Sequence, residues 1–301
     1  MSDLQHHPDG RLRHLLTLET LPAATIERLL DRAEALRGHA HGGTGKRQAL
    51  AGRAMCTLFF EASTRTRCSF QLAGQRLGMD VLNFDAGTSS AKKGETDLDT
   101  LRTLEAMGVH AFVVRHSANG AVDALAEGVR QGTVLVNAGD GRRAHPTQGL
   151  LDMLTLRDHK GRDFSRLKVA VVGDVKHSRV ARSDLHALRA LGAGEIRVCG
   201  PASLLPGGDE LAGCTVGHDL DAALDGVDVV MMLRLQRERM EEGLVGSLED
   251  YFGDYGLDRR RLALARPDAI VMHPGPMNRG VEIAADVADG PQSVILEQVA
   301  N

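Results

Sequence analysis

Phe59-Phe60-Glu61-Ala62-Ser63-Thr64-Arg65-Thr66-Arg67 is the stretch on which the fold reading turns. Before it, residues 54–60 form an apolar run that reads as a buried strand. After it comes an apolar-periodic segment with Cys68, Phe70, Leu72 and Leu77. The order is strand, loop, helix, with Ser63, Thr64, Arg65 and Thr66 at the helix start. The first helical turn carries backbone N–H groups with no internal partner, at the positive end of the helix dipole. Hydroxyls and two guanidiniums added there suit a multiply charged oxyanion such as a phosphate. Ordinary capping by Ser or Thr needs one hydroxyl and no arginine.

Outward from this stretch, strand and helix patterns alternate to both ends. On the N-terminal side, residues 1–17 carry few apolar anchors. A helix follows with Ile26, Leu29, Leu30, Ala33 and Leu36, and Gly38 is expected to stop it. Residues 39–43 read as a solvated loop, since its two histidines have no carboxylate or cysteine partner near in sequence. On the C-terminal side, strands are expected at 79–84, 112–115 and 134–137, with helices at 95–107 and 119–128. A bend at 139–143 leads to His145-Pro146-Thr147-Gln148 and a helix bearing Leu150, Leu151, Leu154 and Leu156. The second half repeats the grammar. Strands fall at 167–172, 196–199, 227–233 and 269–272, and helices at Leu185–Leu191 spacing, near 221–224 and at 293–299. Arg234 opens what reads as a long polar loop, 234–254. This alternation predicts an α/β protein: two doubly wound domains, each with a central, mostly parallel sheet, joined by hinge helices. The expected division is 1–145 and 146–287, with the C-terminal helical segment 288–301 packing back on the first domain.

Composition narrows the function. The chain has 301 residues, enough for two domains with their own cores. Net charge is −4, which argues against a general nucleic-acid surface, and the absence of Trp argues against base-stacking platforms. The longest apolar runs are strand-length, too short to span a bilayer, and no secretory h-region opens the sequence. The four cysteines form no C-x-x-C pair, and Cys56 and Cys199 fall in expected strands. They read as reduced, buried thiols of a cytoplasmic protein.

Polar residues gather at the C-terminal ends of the expected strands: Ser63 to Arg67, Arg115, His145, Arg179, Arg234 and His273. Ligands of open α/β sheets bind at that edge. One arginine there would be a solvated charge; several strand ends with Arg or His point to anionic substrates. Gly173 follows a strand, but Val175 and Ser178 stand where a dinucleotide fingerprint needs glycine, so NAD is rejected. No P-loop, H-E-x-x-H or G-x-S-x-G elbow is present.

The Ser-Thr-Arg-Thr-Arg run after Phe60-Glu61, with Arg115, His145-Pro146-Thr147-Gln148, the Lys92-Lys93-Gly94-Glu95-Thr96 loop and the His273-Pro274-Gly275-Pro276 run, resembles the aspartate and ornithine carbamoyltransferase family along nearly the whole chain. The resemblance implies carbamoyl transfer from carbamoyl phosphate to L-aspartate, without cofactor or metal, in pyrimidine biosynthesis. It implies that Ser63, Thr64, Arg65 and Thr66 hold the phosphate, that Arg115 bridges phosphate and carbonyl oxygen, and that His145 and Gln148 meet the carbonyl oxygen and the NH2 group. Arg65, Thr66, Arg115 and His145 are then the catalytic set. Arg179, Arg234 and Gln236 would take aspartate, and Gly275 and Pro276 would turn backbone carbonyls toward the substrates. Ser89 and Lys93 would serve a neighbouring subunit's site, which implies a homotrimer; regulatory chains or a dihydroorotase are possible partners. Ornithine as acceptor would call for an acidic partner and usually a Cys after the last His, whereas this chain offers Arg234 with Gln236 and His-Pro-Gly-Pro. A further alternative is a non-catalytic, phosphate-ligand-binding subunit of the same fold. His177, where some members have Tyr, is a departure that touches regulation rather than chemistry. The whole reading requires donors from both halves to converge on one cleft.

Overall fold

The structure is a computed structural model that describes residues 4–40, 48–85, 94–236 and 246–301. Ser89 and Lys93 lie outside the described residues, as does most of the expected 39–43 loop. By its contacts the chain divides into two compact units, Met1–Thr20 with Asp31–Thr147, and Leu21–Leu30 with Gln148–Asn301.

The first unit is built on four parallel strands: β1 (Ala54–Phe59), β2 (Asp80–Asp85), β3 (Val109–His116) and β4 (Val134–Asp140), in the order β2-β1-β3-β4. Successive β1 side chains point to opposite faces. Cys56 and Leu58 join Phe112, Val114 and Leu135 on one face, under Leu101 and Leu104 of α3 (Asp97–Ala106) and Val122 and Leu125 of α4 (Ala121–Gly128). Met55 and Phe59 join Val113 and Ala138 on the other, against Phe70 of α2 (Thr64–Arg76). Both faces are covered, which is why these strands read as apolar runs without alternation.

The second unit holds five parallel strands: β5 (Lys168–Val172), β6 (Glu195–Cys199), β7 (Thr215–Gly217), β8 (Val229–Met232) and β9 (Ile270–Met272), in the order β7-β6-β5-β8-β9. Ala170, Val172, Val230, Met232 and Val271 build the core of one face, while Val169 and Val171 are fully buried on the other. Here α6 (Arg179–Ala190) follows β5 and α7 (Leu220–Leu224) precedes β8.

Several expectations are corrected. Helix α1 (Ala23–Ala40) runs through Gly38, which costs a helix interior only about 1 kcal/mol relative to alanine. The apolar period assigned to α2 marks its packed face only in part: Phe70 packs on the sheet, but Cys68 is exposed and Leu72 is 49% exposed. Its close approach is at Gly74, where an added Cβ would lie 2.8 Å from the Met55 methyl and 2.9 Å from Val81. The supposed loop 234–254 contains the start of α8 (Leu248–Tyr255), opened by a capping box between Ser247 and Asp250. Residues 288–301 group with the second unit rather than the first. Their helix α11 (Ile295–Ala300) adjoins β9, where the Val294 N–H donates to the Val271 carbonyl.

Candidate active site

Both sheets wind outward in two directions from a central strand. In the first, the reversal falls between β1 and β3; in the second, between β5 and β8. The crevice at the carboxyl ends of such a pair is where open α/β sheets take ligands. The candidate residues sort onto these two edges.

In the first unit, α2 starts immediately beyond β1, with Ser63 at its N-cap. The Ser63 side chain makes no capping bond; its hydroxyl donates sideways to Thr66 Oγ1 at 3.0 Å. No acidic residue sits in the first turn to neutralise the dipole. Capping therefore does not account for this cluster. Arg115, one residue before the end of β3, lies opposite Phe59 of β1. Its guanidinium is held from two sides: Nη1 donates to the Ala138 carbonyl at 3.0 Å and Nη2 to Glu61 Oε1 at 2.6 Å. Glu61 marked the resemblance but was given no role from the sequence, although it sits inside the deciding stretch; a charge next to the strand end was the available signal.

His145 lies beyond β4, next to β3 in the sheet, and is buried. Two fully buried side chains shape the bend that delivers it. Asn137 accepts from the Gly139 N–H at 2.8 Å and donates to Asp140 Oδ1 at 2.9 Å, and Asp140 Oδ2 accepts from the Gly120 N–H at 2.8 Å. Gly139 takes φ +115°, a conformation that favours glycine. Pro146 then opens α5 (Pro146–Lys160), a position where a missing N–H is harmless. The Thr147 hydroxyl stands 3.4 Å from His145 Nδ1.

In the second unit, Arg179 opens α6 after β5, and Arg234 and Gln236 follow β8, the adjacent strand. Arg234 Nη2 donates to Gln236 Oε1 at 3.1 Å. Asp174, missed in the sequence, ties the two loops: its Oδ2 accepts the Gln236 N–H at 3.2 Å, and its Oδ1 meets the His177 ring at 2.8 Å. His177 is thus a buried partner of Asp174. Gly275 and Pro276 follow β9, the next strand along, and are joined by a cis peptide bond. His273, counted among the ligand-edge residues in the sequence, is instead buried, with its Nε2 3.2 Å from Glu282 Oε1. Gln148, in the first turn of α5, donates to Asp152 Oδ1 at 3.0 Å. Burial pushes the Cys56 and Cys199 thiols up to about 12, so neither is a nucleophile. Among the described residues, no group of three or more His, Cys, Asp or Glu side chains is arranged to hold a metal ion.

The comparisons with known proteins find two family models along the chain. Residues 13–158 match the family description "Aspartate/ornithine carbamoyltransferase, carbamoyl-P binding domain", and residues 165–301 match its "Asp/Orn binding domain". The chain is 71% identical over 301 residues to the aspartate carbamoyltransferase catalytic subunit of Xanthomonas campestris pv. campestris (strain B100), covering 100% of this chain and 96% of that one. It is 70% identical over 302 residues to the subunit of that name from Stenotrophomonas maltophilia (strain R551-3), with the same coverage. Among solved structures, aspartate transcarbamoylase from Trypanosoma cruzi, in complex with N-(phosphonacetyl)-L-aspartic acid, aligns with a TM-score of 0.85 at 32% identity, over 99% of this chain and 94% of that one. Ornithine carbamoyltransferase from Thermus thermophilus aligns with a TM-score of 0.82 at 27% identity, over 95% and 93%. The chain belongs to the aspartate/ornithine carbamoyltransferase family.

Proposed function

We propose that this chain transfers the carbamoyl group of carbamoyl phosphate to the amino group of L-aspartate, giving N-carbamoyl-L-aspartate and phosphate, an early step of pyrimidine biosynthesis. The observation that carries the reading is the clustering of Ser63 to Arg67 with Arg115 at the reversal point of the first sheet, in a form that capping does not explain. The 71% identity to subunits named for this activity supports the choice of aspartate over ornithine, as does the pairing of Arg234 with Gln236.

In this reading the aspartate amine attacks the carbamoyl carbon. Negative charge builds on the carbonyl oxygen, then the carbon–oxygen bond to phosphate breaks. The leaving phosphate takes the amine's proton, so no side-chain base is required. Thr66, Arg115 and His145 donate to the carbonyl oxygen, where fixed donors favour the transition state over the ground state. The Thr147 hydroxyl beside His145 Nδ1 is compatible with this role: when it donates there, Nε2 is the protonated, donating nitrogen. Ser63, Thr64 and Arg65 hold the phosphate, and Gln148 meets the carbamoyl NH2. Arg179 and Arg234 pair with the two carboxylates of aspartate, Gln236 lies beside its amine, and Gly275 and Pro276 present carbonyls.

Ser89 and Lys93 act in a neighbouring subunit's site, within a homotrimer. Regulatory chains or a dihydroorotase are candidate partners of that trimer. We place the protein in the cytoplasm; four cysteines, all free, suit a reducing compartment.

Purified protein should release phosphate from carbamoyl phosphate when aspartate is added and not when ornithine is added. Release with ornithine alone would overturn the acceptor assignment. Binding of carbamoyl phosphate without turnover in the presence of aspartate would overturn catalysis altogether.

A further inference from the structure

One turn beyond Gln148 on α5, Asp152 is fully buried. Its Oδ1 accepts two amide N–H bonds, one from Gln148 Nε2 at 3.0 Å and one from Gln298 Nε2 at 2.5 Å. Gln298 lies on α11, and its Oε1 accepts the His273 backbone N–H at 3.1 Å. A side-chain amide has a donor end and an acceptor end. The His273 N–H claims the oxygen of Gln298, so its nitrogen faces Asp152. The same geometry applies to Gln148: with its NH2 turned to the carboxylate, its oxygen points elsewhere.

Asp184 of α6, 1% exposed, lies within hydrogen-bonding reach of Asp152. Each carboxyl keeps one buried oxygen without a donor in the structure, Asp152 Oδ2 and Asp184 Oδ1. Two ionised carboxylates so close in a buried site repel strongly, and a single proton held between them satisfies both oxygens. Burial raises the pKa of both groups, and the neighbouring Asp152 charge raises that of Asp184 further.

We infer that Asp152 and Asp184 are positioning residues whose hydrogen bonds hold the Gln148 NH2 inward and leave its carbonyl oxygen as the face offered to the substrate's NH2. The inference rests on the proposal that Gln148 meets the carbamoyl NH2. A Gln148 amide turned the other way would set N–H against N–H. The pair thus acts on the choice between a carbamoyl group and its isosteres, rather than on the phosphate.

Acetyl phosphate carries a methyl group where carbamoyl phosphate carries NH2, so the ratio of their dissociation constants, measured by calorimetry on the full-length enzyme, reads the contacts of that NH2, and the Gln148→Ala change isolates this one. Gln148→Ala should lower the preference for carbamoyl phosphate about tenfold, the size of one lost hydrogen bond in a desolvated site. Asp152→Ala should lower it by the same factor and add nothing further in the Gln148→Ala background. Asp184→Asn, whose amide still donates to Asp152, should keep the original ratio. An unchanged ratio in Asp152→Ala, beside a lowered one in Gln148→Ala, would overturn the inference. So would an equal weakening of both phosphates in Asp152→Ala, the mark of a general packing defect. An unchanged ratio in Gln148→Ala would instead overturn the reading of Gln148 itself. Should Asp152→Ala not fold, Asp152→Val fills the space with carbon and answers the same question.

Discussion

Arg115 is useful because it is held. A guanidinium free to rotate must be ordered when substrate arrives, whereas Glu61 and the Ala138 carbonyl order this one in advance. Arg115→Ala should therefore lower kcat on the order of 10²–10³-fold, the usual effect of removing one oxyanion donor. Steady-state kinetics with both substrates will show whether kcat falls more than KM rises. Asp152 and Asp184 carry a second prediction. An unperturbed aspartate has a value of 3.8, and Asp152 is pushed up to about 7 by burial, with Asp184 also raised. The folded chain therefore holds protons that the unfolded chain has already released. The contribution of Asp152 to stability is full below about pH 4 and is lost as the pH rises toward and through about 7, and the raised Asp184 acts in the same direction. Melting temperatures measured across that window should show a decline that Asp184→Asn makes shallower. Neither Glu61 nor Asp152 stood out in the sequence. One is a charge beside charges, and the other a polar residue in an apolar helix, and only the fold reveals what each one touches.

Strands were the most legible elements, for a physical reason. A parallel strand buried on both faces must be apolar at nearly every position, as 168–172 and 229–232 are. Helices resting on such sheets were harder to read. In α2 a glycine made the close contact, so the apolar pattern gave the packed face only at Phe70. In α8 acidic residues mask the helix, and the signal lay in the Ser247 and Asp250 capping box instead. The site was legible where strand ends carried Arg, His or hydroxyls, and obscure where carboxylates such as Asp174 braced them from behind. The ends of β5 and β6 also approach closely: a Cβ added at Gly200 would lie 2.6 Å from the Gly173 carbonyl oxygen. Gly200→Ala should cost about 1–3 kcal/mol of stability, the range for overpacking, and thermal melting will measure it. Because Gly173 leads directly into Asp174, activity should fall below what the folded fraction accounts for.

At the scale of the whole molecule, the proposed trimer makes a prediction that no single chain can satisfy. Lys93→Ala and Arg115→Ala chains should each be nearly inactive alone. Mixed and allowed to exchange subunits, they should regain activity at those sites that receive Lys93 from one chain and Arg115 from the other. Activity that stays absent after exchange is verified by mass would refute shared sites. The chain order holds a further consequence. Residues 21–30 group with the second unit, although 117 residues of the first unit, 31–147, separate them from the rest of it. Ile26 and Leu30 are almost wholly shielded in the finished chain. During synthesis they leave the ribosome long before the C-terminal half exists, so the contacts that group them with it form only after that half has been made.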